Sequence, residues 1–347
     1  MRSLITHALV FAFSVGVSLA IWSKGDKTED SPEAVTVEVW GGTPDAVERV
    51  RFEATDRTVT LEAKKDALGR YYVTTVDKVE ARAPKSPPHG HAHGHDQAEP
   101  DAAEPAAGPA KRTTTTFVGV KAADEFVQKL APLSALRRVG TVEAGRAAEF
   151  GFDKPEGTLK VKIRGAEQTL LIGGTTPGGQ ERYAKHAATG VVYAVPGEIA
   201  QSMLGAETRL LERELHGFPA EEVTRLKITK GPRTRELVGM VDKKGAWADA
   251  ATPTQLDETA GNWMSKVSRL RVTEYIEKPT APLSPEALVV RVESLSGSKS
   301  LGYLELYKLP GEKAAEYVMR TEYTRWPVKV LPSAGEQVEQ DLPSVLK

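Results

Sequence analysis

The sequence predicts an α+β fold of two tandem repeated domains, each an antiparallel sheet with helices on one face, preceded by one N-terminal transmembrane helix. Three observations support this prediction. One stretch of the chain recurs 176 positions later, apolar and polar residues alternate over many short segments, and residues 4–22 form an apolar run. Strict alternation is typical of half-buried strands, and a repeat of this length corresponds to a whole domain.

The apolar run near the N-terminus is long enough to cross a membrane. As a helix, its 19 residues would extend about 28 Å, close to the thickness of the hydrocarbon core. We expect an anchor or uncleaved signal over residues 1–23 and a linker over residues 24–34. A cleaved signal peptide is the alternative, because Arg2 precedes the run and Ser18-Leu19-Ala20 offers small residues to a peptidase.

The repeat is visible as residue pairs at two fixed offsets. An offset of 176 aligns residues 47–52 with 223–228, Gly69 with Gly245, and Tyr71 with Trp247. An offset of 134 aligns Leu136-Arg137 with Leu270-Arg271, and Tyr183 with Tyr317. The two offsets differ by 42, so the first copy contains 42 extra residues between these blocks. We expect the first repeat at residues 35–206, a junction at 207–220 and the second repeat at 221–340.

The extra residues coincide with a change in composition. Residues 81–116 are rich in Pro, Ala, Gly, His and Thr and contain almost no large apolar side chain. Such a segment cannot bury enough apolar surface to offset the entropy of ordering it. We therefore predict a disordered insert at about residues 81–116, within the first repeat.

Four histidines within this insert form the one candidate metal site, and they are His89, His91, His93 and His95. Neutral imidazole is a good ligand for zinc, nickel or copper, and the intervening glycines and alanine would let the rings converge. The other interpretation is a solvated linker that binds no metal, which is typical of low-complexity segments. No other cofactor is predicted.

Period-two alternation predicts strands around residues 35–39, 50–54, 59–63, 159–163, 226–228 and 288–292. Two stretches have helical periodicity instead: residues 124–138, with Asp124 as the cap and Pro132 as a kink or break, and residues 257–270. We expect Tyr71 and Trp247 to fill the space between each sheet and its helix. Four arginines are expected at the ends of the two helices, facing water: Arg137, Arg138, Arg269 and Arg271.

Composition and motifs exclude several classes of function. The net charge is −1 and the basic residues are scattered, so the footprint of a nucleic-acid-binding protein is missing. The chain contains no cysteine, which excludes disulfides and thiolate chemistry. Residues 173–179 are glycine-rich but lack the spacing of a phosphate-binding loop, and they predict a hairpin turn. His186 and His216 have no triad-type neighbours in sequence, and we predict no catalytic residue.

Several stretches resemble a known family. They are Gly-Phe-Asp-Lys-Pro at residues 151–155, the hairpin at 169–177, the strand containing Tyr183, Val-Val-Tyr-Ala-Val-Pro at 191–196, and the junction at 207–215 and 218–223. In this order they are similar to the domain of unknown function (DUF) 4340 family, over roughly residues 35–330. The histidine-rich insert departs from the usual pattern of that family.

The resemblance implies a single-pass protein of the bacterial inner membrane with most of the chain in the periplasm. It also implies a non-enzymatic role as an auxiliary or scaffold component of an ABC-type transport or envelope machine, of the kind linked to gliding motility. The expected partner is then a transporter permease or another envelope protein. The alternative is a periplasmic protein that binds a ligand or metal through an interdomain cleft or the histidine-rich insert. An unrecognised hydrolase ranks third.

Overall fold

The computed structural model describes residues 36–80, 111–241, 243, 245–279, 281–312 and 314–347. These residues form a mixed α+β protein with antiparallel sheets of nine and eight strands, a two-stranded ribbon and a few helices, which confirms the predicted α+β class. No helix within the described ranges is long and apolar enough to cross a membrane. The apolar run at residues 4–22 lies outside these ranges.

The first part of the chain contains eleven strands: β1 (Val37–Trp40), β2 (Val47–Glu53), β3 (Arg57–Asp66), β4 (Gly69–Glu80), β5 (Lys111–Gly119), β6 (Leu133–Ala135), β7 (Arg137–Thr141), β8 (Gly157–Ile163), β9 (Ala166–Thr175), β10 (Glu181–His186) and β11 (Val191–Pro196). β1 and β6 pair as the ribbon. The other nine form one sheet in the order β5-β4-β3-β2-β8-β9-β10-β11-β7.

The second part contains eight strands: β12 (Arg225–Lys230), β13 (Arg233–Gly239), β14 (Trp247–Asp249), β15 (Glu274–Tyr275), β16 (Leu288–Ser296), β17 (Lys299–Leu309), β18 (Glu316–Thr321) and β19 (Val328–Lys329). They form one sheet in the order β14-β13-β12-β16-β17-β18-β19-β15. The six stretches predicted by alternation overlap β1, β2, β3, β8, β12 and β16, and the first two differ from the observed strands by one or two residues at one end. Alternation succeeds because one face of each sheet is buried.

Five α-helices accompany the sheets in the described residues: α1 (Lys121–Gln128), α2 (Glu198–Leu204), α3 (Ala206–Arg209), α4 (Glu258–Val267) and α5 (Pro332–Val345). Short 3-10 turns at Pro44–Ala46 and Ala220–Glu222 lead into β2 and β12. α4 begins where predicted, because the Asp257 side chain accepts a hydrogen bond from the Ala260 backbone N–H. The Trp263 indole N–H donates to the Val338 carbonyl of α5 at 2.9 Å and joins the two helices.

The predicted helix over residues 124–138 is wrong in extent. α1 ends at Gln128, and the residues after Pro132 form β6 and β7. Proline has no N–H to donate and disfavours helical backbone at the residue before it, so a helix cannot continue smoothly there. Arg137 and Arg138 consequently lie on the edge strand β7 and not at a helix end. Asp124 is the fourth helical residue and not the cap.

The predicted disordered insert is too long at its C-terminal end. Lys111 to Thr116 belong to β5, which pairs with β4 from Glu80↔Lys111 to Tyr72↔Gly119. β-Branched threonines favour strands, and here a run of four extends the edge of the sheet. The remaining residues of the insert, 81–110, lie outside the described ranges, and so do the four histidines.

Eight strands follow the same order in both large sheets. β4-β3-β2-β8-β9-β10-β11-β7 in the first sheet corresponds to β14-β13-β12-β16-β17-β18-β19-β15 in the second, and β5 is an additional edge strand. The helices α1 and α4 also occupy corresponding places in the chain order, after β4 and β14 and before the edge strands β7 and β15. Positions in the two sheets can therefore be compared through their strand registers.

The registers correct the sequence alignment by small shifts. Ala63 pairs with Tyr72 in the first sheet, and its counterpart Gly239 pairs with Trp247 in the second. Tyr72 is thus the counterpart of Trp247, and the predicted pairing of Tyr71 with Trp247 is wrong by one residue. The stretch of chain from Gly239 to Trp247 is one residue shorter than the stretch from Ala63 to Tyr72. An alignment of the strands alone does not show this difference in loop length.

Two further alignments at the offset of 134 are also wrong. Tyr183 pairs with Ala194 and Val318 with Lys329, so Val318, not Tyr317, corresponds to Tyr183. The helix caps Val120 and Asp257 lie 137 positions apart. This spacing places Leu133 with Leu270, both buried, and not Leu136.

Candidate functional site

The segment that joins the two sheets is fixed by the buried carboxylate of Glu212. Its Oε2 accepts the backbone N–H of Lys121, at the start of α1, and its Oε1 accepts those of Arg213 and Glu214. The first N–H groups of a helix have no partner within the helix, so a carboxylate satisfies them well. Glu212 therefore caps α1 from far along the sequence, which is why the local sequence misplaced the cap.

A second contact holds the same segment against the second sheet. The Tyr275 hydroxyl, on β15, donates to the Glu212 carbonyl at 3.0 Å. Burial raises the pKa of Tyr275, so this hydroxyl keeps its proton and remains a donor. The segment after Glu212 is therefore attached at its N-terminal end to both sheets.

An open cavity of about 860 Å³ lies beyond this attachment. We call it the junction cleft. Its walls are the joining segment, residues 213–223, and one face of α4 with the turn that follows it, and its floor is the second sheet. The volume falls within the range of roughly 300–1,000 Å³ that is typical of ligand sites.

The floor of the junction cleft is apolar. Leu226, Val292 and Leu304 come from three adjacent strands and are buried, and Trp247 forms the edge of the floor on β14. On the helical wall, Gly261, Met264, Ser265 and Ser268 face the cavity at the spacing of one helix face. Apolar area combined with a few polar groups is the usual composition of a binding site.

The rim of the cleft carries cationic and aromatic groups. Arg213 and Arg271 both line the cavity and are exposed. The Arg271 Nη1 donates to the carbonyls of Ser268 and Leu270, which fixes the side chain beside the end of α4. Glu214 is the carboxylate among the lining residues. The rim therefore has a small excess of positive charge.

His216 and Phe218 form the other side of the rim. Their rings stack with centroids 4.8 Å apart. The His216 Nδ1 lies 2.9 Å from Oε1 of Glu322, whose carboxylate also accepts the Tyr303 backbone N–H. His216 is therefore held at the rim by Glu322, which directly follows β18.

In the first sheet a buried side chain occupies the position that corresponds to His216. Counting back from β2 and β12 places Trp40 where the second sheet has His216. Trp40 is buried, and its indole N–H donates to the Leu130 carbonyl, just after α1, at 2.7 Å. A large ring thus fills in the first sheet the space that an imidazole leaves open in the second.

A second difference lies on the helices. Counting from the helix caps places Gly261 and Ser265 of α4 where α1 has Asp124 and Gln128. In the first sheet the Tyr72 hydroxyl donates to Asp124 Oδ1 at 3.2 Å, and Gln128 donates to Oδ2 of the same carboxylate at 2.8 Å. Trp247, the counterpart of Tyr72, instead lies opposite small residues and lines the cleft.

A third difference concerns the backbone. In the first sheet β1 and β6 pair as a ribbon. Their counterparts are residues 213–216 and 270–272, and no backbone hydrogen bond joins these two segments in the described structure. Residues of both segments line the junction cleft. The cleft thus opens where the first sheet is closed by a strand pair and a tryptophan.

The packing and hydrogen bonds of the other residues singled out in the sequence account for their positions in the fold. His186 is buried, with Nε2 3.2 Å from Gln168 Oε1 and Nδ1 beside Thr189. Residues 173–179 end β9 and form the predicted hairpin turn to β10. Arg269, after α4, donates to Ser265 Oγ as expected for a helix end. Tyr71 is half-buried, and the fully buried residue that contacts α1 is Tyr72.

The predicted metal site cannot be placed, because His89, His91, His93 and His95 lie outside the described residues. Among the residues that are described, no group of three or more His, Asp or Glu side chains is positioned to hold a metal ion. The junction cleft was missed in the sequence. Two differences between corresponding positions indicate it: Trp40 corresponds to His216, and Asp124 corresponds to Gly261. These correspondences can be recognised only when the loop lengths are known.

Comparison with known proteins gives one match. No curated protein and no solved structure matches this chain. One family model does match. The matched residues include part of the first sheet region, the joining segment, and the first strands and helix of the second sheet region. This range is narrower than the residues 35–330 expected from the sequence. Residues 120–288, just under half of the chain, match the family model described as a domain of unknown function, DUF4340.

Proposed function

We propose that the protein is a non-enzymatic scaffold of the bacterial envelope, anchored in the inner membrane by residues 4–22, that holds a protein partner with its periplasmic part. We further infer that the chain is a duplicated unit, with its two copies built around the two large sheets. The common order of eight strands supports the duplication.

The junction cleft carries this proposal. Duplicated units that had only a structural role would be expected to close their cores in the same way. One copy is closed by Trp40 and the ribbon, whereas the other leaves a cleft with a cationic rim. Five apolar residues that line this cleft are only half-buried: Leu215, Phe218, Val223, Trp247 and Met264. Apolar surface of this kind is costly to leave exposed and marks sites of interaction.

The placement in the envelope and the link to ABC-type transport rest on the apolar run at residues 4–22 and on the resemblance to the DUF4340 family. A transporter permease or another envelope protein is accordingly the proposed partner. Binding of a small ligand in the same cleft is the second candidate function, because its volume and its mixed lining also suit a small molecule.

The test is affinity purification of the full chain from detergent-extracted membranes, with and without a blocked cleft. A Cβ added at Gly261 meets no atom within 4 Å, so Gly261→Trp would place an indole in the cleft without a backbone collision. Gly145→Trp is the matched control, because that glycine is also unobstructed and is exposed on the 3-10 turn Ala144–Phe150, away from the cleft.

We expect a membrane protein identified as a transport component to co-purify with the wild type and with Gly145→Trp, and to be lost with Gly261→Trp. Retention of the same protein by Gly261→Trp would show that the cleft is not the binding site. Co-purification of a small molecule without any protein would favour the ligand-binding alternative.

A further inference from the structure

We propose that the junction cleft binds an extended polypeptide segment that carries an acidic residue two positions before an aromatic one. The inference rests on the proposed function, because it names the chemistry of the partner that the scaffold would hold. Three features of the structure support it, namely the unpaired backbone, the missing aromatic ring and the charge of the rim.

The unpaired backbone favours an extended chain. In the first sheet the counterpart of residues 270–272 is β6, whose backbone groups are satisfied by β1. Residues 270–272 receive no such partner from residues 213–216. The Leu270 N–H donates to the Val267 carbonyl and the Leu270 carbonyl accepts from Arg271 Nη1, so an added strand would pair with Arg271 and Val272. Backbone groups at the side of a cavity can accept a strand from another molecule, as in recognition by β-augmentation.

The missing ring favours an aromatic side chain. In the first sheet an indole occupies the space between the sheet and the end of the helix, and it donates to a carbonyl there. The counterpart of that carbonyl belongs to Val267, which lines the cleft. This carbonyl accepts the Leu270 N–H, and its second lone pair could accept an indole N–H. Gly261 and Ser265 leave further room beside Trp247. Aromatic residues are the usual anchors of protein interfaces, because they bury a large area at low entropic cost.

The rim adds a preference for negative charge. Arg213 and Arg271 outnumber Glu214 among the charged lining residues, and His216 is already occupied by Glu322. An acidic residue beside the aromatic anchor would therefore be attracted to the rim. The strand β1 itself has this pattern, with Glu38 two positions before Trp40.

The probe is a fluorescent synthetic peptide with the sequence of residues 36–42, Thr-Val-Glu-Val-Trp-Gly-Gly, titrated with the full chain in detergent and followed by anisotropy. We expect saturable binding. Replacing the peptide's tryptophan by alanine should weaken binding about tenfold or more, as for an interface anchor. Replacing its glutamate by lysine should weaken binding about threefold, the scale of an exposed ion pair.

The protein variants separate the site from the rest of the chain. Gly261→Trp should abolish binding, whereas Gly145→Trp, which lies outside the cleft, should leave it within about twofold of the wild type. Thermal unfolding of each variant checks that it is folded, and Ser265→Trp serves as a second blocked variant if Gly261→Trp does not fold. Arg213→Glu should reduce affinity about threefold, the scale of an exposed charge pair.

Three outcomes would overturn the proposal. The first is equal binding of the peptide that lacks tryptophan, or undiminished binding to a folded blocked variant. The second is tighter binding of indole-3-acetate than of the peptide, which would indicate a small-molecule site. The third is self-association of the chain that Gly261→Trp abolishes, which would make a second copy the occupant. If the peptide does not bind but the cleft is still needed to capture a membrane protein, the proposed aromatic and acidic peptide ligand is rejected and the scaffold function is retained.

Discussion

Arg325 of the second sheet region forms an ion pair with Asp66 of the first, with 3.2 Å between Nε and Oδ2. The arginine side chain is 6% exposed, and its guanidinium lies 5.2 Å from the centre of the Tyr71 ring. Its backbone has a φ of 59°, in the left-handed region that non-glycine residues rarely adopt. The two sheets are thus joined by one buried cation held in a strained backbone conformation.

Arg325→Ala is expected to lower the free energy of unfolding by about 2 kcal/mol. It removes a buried ion-pair partner, and the cost is below that of a fully buried pair because Asp66 is partly exposed. Thermal or urea unfolding measures the change. Arg164→Ala is the control, because Arg164 also has a positive φ, of 47°, but is exposed in the β8–β9 turn. Equal effects of the two substitutions would show that the contact between the sheets contributes little.

Trp40→Ala and His216→Ala test the difference between the two corresponding positions. Trp40 fills its site and donates a hydrogen bond at 2.7 Å, so its removal should cost about 3–5 kcal/mol, as for other buried tryptophans. His216 borders an open cleft, and His216→Ala should cost about 1 kcal/mol or less. Denaturant unfolding of both variants measures these changes. A large loss for His216→Ala would mean that the second sheet depends on this ring for closure.

Two glycines in helices should respond to alanine with opposite signs. At Gly261 of α4 the new Cβ meets nothing within 4 Å, and the gain in helix propensity should stabilise the protein by about 0.5–1 kcal/mol. At Gly335 of α5 the Cβ would lie 2.3 Å from Cγ of the buried Tyr317 ring, so overpacking should cost about 1–2 kcal/mol net. Melting temperatures report both changes. Stabilisation by Gly335→Ala would contradict the close packing of α5 on β18.

Glu305 should make stability depend on pH in the acid range. Burial alone would raise the pKa of this carboxyl, but hydrogen bonds from Tyr307, Arg320 and Arg291 outweigh burial and hold the pKa below its ordinary value. Because the folded-state pKa is depressed, the stabilisation is present above the unfolded pKa of about 4.3 and is lost as the pH falls through the folded value.

Glu305→Gln should therefore cost about 1–2 kcal/mol at pH 7, and the difference from the wild type should shrink as the pH falls below about 4.3. Urea unfolding at a series of pH values measures the difference. Glu125→Gln, at an exposed position on α1, is the control and should change the free energy of unfolding at pH 7 by less than about 0.5 kcal/mol. A difference that stays constant down to acid pH would contradict the assigned role of the carboxylate.

Much of the fold was predictable from local patterns. Alternation in Val50, Phe52 and Leu61 predicted strands because each sheet buries one face. Asp257 predicted the start of α4 because a side-chain oxygen can cap a helix within three residues. The start of α1 was not predictable in this way, because its cap is Glu212, some ninety residues away along the chain.

The correspondence between the sheets was predictable only in part. The offset of 176 holds through β2 and β12, because Phe52 pairs with Val59 and its counterpart Ile228 pairs with Arg235. It fails at Tyr71, where the connection differs by one residue, and a shift of one residue in a strand reverses which side chain faces the core. That shift concealed the pairing of Tyr72 with Trp247, and with it the difference that opens the junction cleft.

The sequence by itself determined six of the strands, the start of α4 and the α+β class, because these depend on residue spacing along one segment. Only the tertiary structure decided where the cap of α1 comes from, which residues correspond between the sheets, and that a cavity lies between the joining segment and α4. Those features depend on loop lengths and on contacts between distant segments. The spacing of apolar residues within any one segment contains no record of them.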